Sequence, residues 1–564
     1  MSTMPRAVRK LSPLLYAVAL ACGALWASTA HAELARETVC TITVNSSDEK
    51  HAFERYLPKA RFDYVELVER GRPDWLEAAL RKHVRCDILV ISGHYDGGDY
   101  AGGNEFFSEH VDAREYLPVD EMERVACSNP DDGPFAHLKA VFLFGCNTLN
   151  SVALRSSPEE IARTLVASGH SSDEASRLAR AMSPRFADSS RDRMRHIFRN
   201  VPAIYGFSSV APLGPLAATY LDRYFRAGGA REVASGVPST KLLSYFPGRS
   251  LTVTRGSTDA DPDVGFRHDT CQFLDDRISP VARAQFVHAL LHRDMAEVRL
   301  FLDRLERYAR GLKEHGTTSP ELSAALAAIA EDADARDRYL RFMRALDDPS
   351  LAVRMIDLAY ELHWFSDDQR RAELGNLIAQ RYDRSILTAA DVDFACKLDV
   401  AHALDGTRAT LAPPKDVGQA AIRGCLGDDA QRATLLGALT SADTADVQIA
   451  QVYLGYHPIA GVTELREIAS AIGTMRDAHA QVRALDTLAD HRVSDPETLA
   501  HITRLFEETR SIEVQRAIAG VLLRSDYPPL AMPTLARTLR EHRLESHEGR
   551  DLIDVLIDRL DVSA

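Results

Sequence analysis

Beyond its N-terminal end, the sequence has no hydrophobic run long enough to cross a membrane. It also has no surplus of positive charge, since 81 acidic residues outnumber 67 lysines and arginines and the formal net charge is −14. A chain this acidic is a poor match for nucleic acid or an anionic membrane surface as its main partner. We therefore expect no nucleic-acid partner and no stable membrane span in the mature chain.

The one long apolar stretch belongs to a predicted signal peptide, residues 1–32. A basic n-region precedes an apolar h-region at residues 11–26, and the Ala-His-Ala sequence at residues 30–32 is a small-x-small cleavage site. A membrane anchor and a lipid-modified Cys22 remain open as alternatives. We expect a periplasmic or secreted protein.

Cysteine is scarce, and its count is informative. Of the eight cysteines, seven follow the predicted cleavage site. An odd number in an oxidising compartment leaves at least one thiol unpaired, and we expect that thiol to be Cys146. Cys40 and Cys86 lie in or at the start of two predicted strands and could be bridged, although spacing alone does not determine the pairing.

Residues 33–270 alternate short apolar strands with helices, which predicts an α/β domain with a parallel sheet flanked by helices. The predicted strands are 38–44, 62–68, 86–92, 141–144, 201–207 and 251–254. Asp120 is a plausible N-cap of one helix, with Glu123 as its capping-box partner. Residues 171–199, rich in Arg, Ser and Asp, look like an exposed polar insertion that proteases could cut.

Strand signals nearly vanish after residue 270, and helical periodicity continues to the end. Four helices share a pattern centred on Val353, Val447, Val482 and Val514, and the last three valines are 35 and 32 residues apart. This spacing suits stacked two-helix units, so residues 271–564 are predicted to form an all-α solenoid resembling HEAT repeats. An irregular helical bundle is the alternative. A solenoid would offer a surface for a protein partner.

Two apolar runs each end in a reactive side chain, His94 and Cys146, about fifty residues apart. Chemistry gathers at the carboxyl ends of parallel strands, so the pair predicts a thiol nucleophile and its base. Backbone N–H groups after His94 and at Cys146 are candidate donors for an oxyanion.

The glycine-rich loop at residues 95–103 is not a phosphate-binding P-loop, because the Gly-Lys-Ser/Thr ending is missing. His94, Asp96, Asp99 and His110 lie close in sequence, but their spacing matches no standard metal motif. We therefore predict no metal and no cofactor. Asp96 and Asp99 could favour a basic substrate side chain, or be two solvated turn carboxylates.

Residues 88–94 (Ile-Leu-Val-Ile-Ser-Gly-His) and 142–148 (Phe-Leu-Phe-Gly-Cys-Asn-Thr) resemble the His and Cys blocks of the caspase-like cysteine peptidases, closest to the CHAT and gingipain branches. The resemblance covers roughly residues 36–230. It implies that His94 is the general base and Cys146 the nucleophile, with the N–H groups of Tyr95 and Cys146 as the oxyanion hole. Residues 201–209 resemble the strand that lines the substrate cleft, which implies substrate contacts by Phe207, Ser208 and Ser209.

The resemblance implies an exported cysteine endopeptidase that hydrolyses peptide bonds of protein substrates through a thioester acyl-enzyme, with the helical repeats recruiting substrate or partner. Tyr95 departs from the pattern, because the family usually has Gly directly after the His. A backbone N–H survives that change, but the freedom to adopt positive φ does not. A catalytically inactive domain in a protein-interaction scaffold is therefore the alternative.

Overall fold

A computed structural model describes residues 36–72, 74–96, 104–108, 115–233, 235, 237–246, 248, 250–315, 319–459, 461–491, 493–525, 532–545 and 549–562. The predicted signal peptide lies outside the described residues. The chain divides into two compact units, residues 1–346 and 347–564. In the described ranges, no helix combines the length and the apolar character that a membrane crossing requires.

Nine strands form two sheets in the described part of the first unit. They are β1 Glu37–Thr43, β2 Phe62–Glu66, β3 Ile88–Ser92, β4 His94–Asp96, β5 Glu105–Phe107, β6 Tyr116–Pro118, β7 Ala140–Phe144, β8 Ala203–Phe207 and β9 Leu251–Thr254. The main sheet has six strands in the order β2-β1-β3-β7-β8-β9, and β4, β5 and β6 form a small second sheet. All neighbours in the main sheet are parallel except β8 and β9. The predicted α/β class is confirmed, and the predicted parallel sheet is parallel except at its β9 edge.

The main sheet is buried on both faces, which is why its strands are continuous apolar runs. Every residue of β3 and β7 is buried. Along β7, Val141 and Leu143 enter one hydrophobic core while Phe142 and Phe144 enter the other. This alternation follows from the two-residue period of a strand. The sheet is therefore a rigid support for whatever follows its strand ends.

Helices cover both faces of the sheet and continue to the end of the first unit. They are α1 Asp48–Tyr56, α2 Trp75–Arg81, α3 Val119–Ser128, α4 Pro158–Ala167, α5 Ser172–Met182, α6 Ser190–Ile197, α7 Gly214–Arg226, α8 Thr240–Tyr245, α9 Val264–Leu274, α10 Pro280–Leu291, α11 Met295–Leu300, α12 Leu302–His315, α13 Pro320–Ala330 and α14 Ala333–Arg344.

The predicted polar insertion at residues 171–199 is wrong, because most of it is helical. The side chains of Ser171 and Ser189 accept hydrogen bonds from backbone N–H groups and cap α5 and α6. Met194 and Ile197 of α6 are buried in the core beside the sheet. Two apolar residues among many arginines are enough to fix the helix against the core.

The predicted cap at Asp120 is also wrong, since α3 begins one residue earlier and Pro118 precedes it. Glu123 is not a capping residue either. Its carboxylate is buried and accepts from Arg193 at 3.2 Å and from Arg304 at 2.9 Å. Burial alone would raise the pKa of Glu123, but the two guanidinium groups hold it well below its usual range.

The predicted domain boundary at residue 270 lies inside the first unit. The disulfide Cys127–Cys271 joins α3 to α9. Arg299 of α11 donates to Glu160 of α4 at 2.5 Å, and Arg304 of α12 reaches Glu123. These contacts attach the following helices to α3 and α4, and the compact unit extends to residue 346 even though the strand signal stops earlier.

The second unit is helical in all its described elements. They are α15 Pro349–Glu361, α16 Asp367–Tyr382, α17 Ala389–His402, α18 Val417–Cys425, α19 Arg432–Ala438, α20 Thr444–Tyr456, α21 Val462–Ile472, α22 Ala478–Asp490, α23 Pro496–Glu508, α24 Ile512–Arg524, α25 Met532–His542 and α26 Leu552–Val562, with a 3₁₀ segment at Asp405–Thr410.

From α20 onward, each helix packs on the helix two places along, so that α20, α22, α24 and α26 form one row and α21, α23 and α25 another. The four patterned valines do lie on helices, but they are not equivalent. Val447 and Val514 are fully buried, whereas Val353 and Val482 are half-buried.

Candidate active site

The register of two strands brings the chain segments of His94 and Cys146 together. β3 and β7 are parallel neighbours, with Ser92 opposite Phe144. The N–H of Gly93 donates to the carbonyl of Phe144 at 3.1 Å. His94 and Cys146 therefore each lie two residues after the end of a strand. The two strands are adjacent, so their ends are separated by one strand spacing of ~4.8 Å.

Gly145 shows how closely the two segments approach each other. A Cβ atom placed on Gly145 would lie 2.8 Å from the Cβ of Tyr95 and 3.0 Å from the carbonyl oxygen of Gly93. Both distances are too short for a side chain, so only glycine permits this approach. The residue before Cys146 is thus in direct contact with the residues on either side of His94.

The predicted unpaired cysteine is confirmed, because Cys146 is the free cysteine in the described part of the chain. The other six described cysteines form the disulfides Cys40–Cys86, Cys127–Cys271 and Cys396–Cys425. The bridge that the sequence left open between Cys40 and Cys86 is therefore present, with a Cα–Cα distance of 5.6 Å.

A backbone donor reaches the sulfur of Cys146. The N–H of Ala211 points to Sγ at 3.3 Å. The next residue after the cysteine, Asn147, adopts a left-handed conformation with φ of 59° and donates its N–H to the carbonyl of Ser209 at 2.8 Å. These two hydrogen bonds attach the turn that contains Cys146 to the segment after β8. In addition, an N–H donor at the sulfur stabilises negative charge on it.

Thr148 stabilises the turn that contains Cys146 through two hydrogen bonds. Its hydroxyl donates to the carbonyl of Gly145 at 3.2 Å and accepts from the N–H of Phe207 at 3.0 Å. Its side chain is fully buried. A Cβ on Gly206 would lie 2.7 Å from the same hydroxyl oxygen, so glycine is required there too. Sequence reasoning missed both positions, although Thr148 stands within the motif that it singled out.

His94 begins β4, which pairs with β5 so that His94 lies opposite Phe107. The imidazole is half-buried, and its ring centre is 5.5 Å from that of Phe107. An aromatic neighbour on one face limits the orientations open to the ring.

Tyr95 does not need the conformational freedom of glycine in this structure. It lies within a strand, opposite Phe106, and its φ is not positive. Its ring packs on Phe106 with centres 4.9 Å apart, and its hydroxyl donates to the side-chain oxygen of Asn104 at 2.5 Å. Tyr95 is therefore a buried anchor of the His94 hairpin. Its role as an oxyanion donor remains a prediction.

The three residues predicted to contact substrate are placed differently from one another. Phe207 is fully buried, and its N–H and carbonyl are both engaged by Thr148 and Leu149. The structure thus gives Phe207 no surface with which to touch a substrate. Ser208 and Ser209 are exposed at the end of β8, and their contact with a substrate stays a prediction.

Two exposed apolar side chains near the thiol were missed by sequence reasoning. Val210 and Leu213 flank the segment that binds Cys146 and expose 75% and 69% of their surface. Exposed aliphatic groups beside a reactive side chain are suited to an apolar substrate residue. Their position directly after a buried strand was the signal that could have indicated them.

A buried carboxyl group also lies at this edge of the sheet. Glu49, in the first turn of α1, is 4% exposed and hydrogen-bonds the side chain of Ser92, the last residue of β3. Its Oε2 atom has no hydrogen-bond partner among the described residues. Burial is the main reason that the pKa of Glu49 rises from 4.5 to about 7.

Of the four residues weighed as a metal group near His94, Asp99 and His110 lie outside the described residues.

Comparisons with family models, with curated proteins and with solved structures found no match to the chain.

Proposed function

We propose that the first unit is a cysteine peptidase of the caspase-like type, with Cys146 as nucleophile and His94 as general base. The observation that carries the proposal is the aligned ends of β3 and β7, where the free thiol and an imidazole follow equivalent strand positions. The six other described cysteines form disulfides, so Cys146 is the described cysteine with a free thiol that could act as a nucleophile.

The proposed reaction has two stages. His94 takes the proton of the Cys146 thiol, and the thiolate attacks the carbonyl carbon of the scissile peptide bond. The tetrahedral intermediate collapses to a thioester as the imidazolium gives its proton to the leaving amine. Water, deprotonated by His94, then hydrolyses the thioester and releases the acid product together with the free thiol. Neither stage needs a metal or a cofactor.

Backbone donors would stabilise the charges that form. The N–H of Ala211 lies at the sulfur and supports the thiolate. The N–H groups of Cys146 and Tyr95 are the proposed donors to the oxyanion. Ser208 and Ser209 would hydrogen-bond the substrate backbone, and Val210 and Leu213 would contact one of its apolar side chains.

A thiol-directed probe and a peptide library test the proposal on the full-length protein. Cys146→Ala is expected to abolish both labelling and cleavage while leaving the circular dichroism spectrum unchanged. His94→Ala is expected to slow labelling and cleavage at neutral pH by about 10²- to 10⁴-fold, the range for removal of a general base.

The matched control is His83→Ala, because His83 is a strongly exposed histidine paired with Asp132. It is expected to behave as the unmodified protein. Cleavage that persists in Cys146→Ala would exclude the nucleophile assignment. Equal labelling rates for His94→Ala and His83→Ala would exclude the base.

The helical second unit would serve as a solenoid that recruits a protein substrate or partner, supported by its rows of stacked helices. A scaffold without catalysis remains the second candidate. It predicts that Cys146 is labelled while no member of the peptide library is cut, and that a partner binds the Cys146→Ala chain as tightly as the unmodified one.

Export to a periplasmic or secreted location is part of the proposal. Three disulfides support it, since such bonds form and persist in oxidising compartments. Cell fractionation, with N-terminal sequencing of the mature protein, tests both the location and the cleavage site predicted after residue 32.

A further inference from the structure

Two histidines and one carboxylate converge in the helical part of the first unit. His288 lies in the last turn of α10, His292 ends that helix, and Asp332 caps the start of α14. The Nε2 atoms of His288 and His292 are 2.7 Å and 2.6 Å from the same Oδ2 atom of Asp332. All three potential ligand atoms lie within 4.8 Å of one another.

Local structure holds each of the three side chains in place. The histidines are four residues apart on one helix and therefore share a face. Asp332 uses its Oδ1 atom to accept from the N–H of Ala335 at 2.9 Å, which fixes the carboxylate and turns Oδ2 toward the imidazoles. Arg338 of α14 donates to the carbonyls of Leu291 and His292, so the end of α10 is attached to the helix that Asp332 begins.

We propose that His288, His292 and Asp332 bind a divalent transition-metal ion, with Zn²⁺ as the best match. Two imidazole nitrogens and one carboxylate oxygen form a recognised zinc donor set, whereas Ca²⁺ and Mg²⁺ prefer oxygen ligands alone. Tetrahedral coordination at about 2.0 Å separates ligand atoms by about 3.3 Å. Each nitrogen would therefore move away from the carboxylate oxygen by about 0.6 Å, a displacement within the reach of side-chain rotation.

The site would act as a clamp. It would join the end of α10 to the start of α14 across forty residues of sequence, independently of any chemistry at Cys146. The side chains of His288 and His292 expose 32% and 44% of their surface, so a water molecule can fill the fourth position and an ion can enter from solvent.

Isothermal titration calorimetry and thermal unfolding with ZnCl₂ test this proposal. The full-length protein should carry Cys146→Ala, so that the thiol does not contribute a second zinc site, and should be freed of metal with a chelator and of any histidine tag. One zinc ion per chain is expected to bind. At a zinc concentration one hundred times the dissociation constant, the folding equilibrium should shift about a hundredfold, with a matching rise in Tm.

The decisive variant is Asp332→Asn, because asparagine caps a helix as well as aspartate does but is a poor metal ligand. It and His292→Ala should weaken zinc binding at least tenfold. His268→Ala removes an exposed histidine of α9 and should bind zinc as the parent does. Absence of one-to-one binding in the parent, or equal affinities in Asp332→Asn and His268→Ala, would overturn the proposal and leave a carboxylate that merely accepts hydrogen bonds from two imidazoles.

Discussion

The replacement Glu49→Gln should stabilise the first unit at neutral and alkaline pH. Glu49 is buried beneath the end of β3, and its burial raises its pKa from 4.5 to about 7. Above pH 7 the folded protein must therefore hold a negative charge in an apolar site that the unfolded chain keeps in water. Glutamine has nearly the same shape, can still bond Ser92, and carries no charge.

The sign and size of the effect follow from proton binding. Because the pKa is higher in the folded state, folding takes up a proton between the two pKa values, and stability falls as pH rises from 4.5 to 7. At 1.36 kcal/mol per pH unit, the interval corresponds to about 3 kcal/mol. The free energy of unfolding of Glu49→Gln minus that of the parent should thus rise by about 3 kcal/mol from pH 4 to pH 8.

Denaturant unfolding followed by the fluorescence of Trp75 measures this difference in the first unit. Trp75 is 4% exposed and belongs to the same core as Leu89 and Ile91 of β3. Trp364, the other tryptophan of the predicted mature chain, should be replaced by Phe so that the signal reports one unit only. Glu54→Gln, on the same helix but half-buried, is the control for loss of a less buried carboxylate from α1.

Parallel pH profiles for Glu49→Gln and the parent would refute the reasoning. They would mean that the carboxylate is solvated or paired when it ionises, and that burial does not determine its charge.

Three further substitutions test contacts around the strand ends and beyond. Gly145→Ala should cost about 1–3 kcal/mol of unfolding free energy and slow thiol labelling of Cys146, because the added methyl has no room; normal stability and labelling would contradict the packing. Thr148→Val should cost about 1–3 kcal/mol through two lost hydrogen bonds, whereas Thr148→Ser should retain most of the stability measured by denaturant. Glu123→Gln should cost about 3–5 kcal/mol by removing the buried carboxylate that pairs with Arg193 and Arg304, although Arg193 keeps Asp120 as a second partner; a loss below 1 kcal/mol in the same assay would show that solvent reaches the guanidinium groups.

Local sequence patterns were sufficient for the strands of the main sheet, including the two that precede His94 and Cys146. The runs before His94 and Cys146 are apolar at every position, which is the pattern of strands buried on both faces, and the order of strands along the chain brings their ends to one edge. The odd cysteine count predicted at least one unpaired thiol for a reason independent of the strands, but it did not identify which cysteine that is.

Packing contacts between residues far apart in sequence could not be predicted from the sequence. The composition of residues 171–199 suggested an exposed loop, yet Met194 and Ile197 anchor α6 in the core. The loss of strand signal after residue 270 suggested a boundary, but Arg304 attaches the later helices through Glu123. In each case the deciding contact joins residues far apart in sequence, and such contacts leave no local periodicity.

The disulfide between Cys127 and Cys271 closes a covalent loop with a sequence separation of 144 residues. Residues 171–199 lie inside that loop. If a protease cuts the chain there once, the two fragments stay joined by the disulfide. A gel run without reductant would then show a single band near the intact mass, and only the reduced sample would reveal two chains. Maturation by internal cleavage must therefore be sought under reducing conditions.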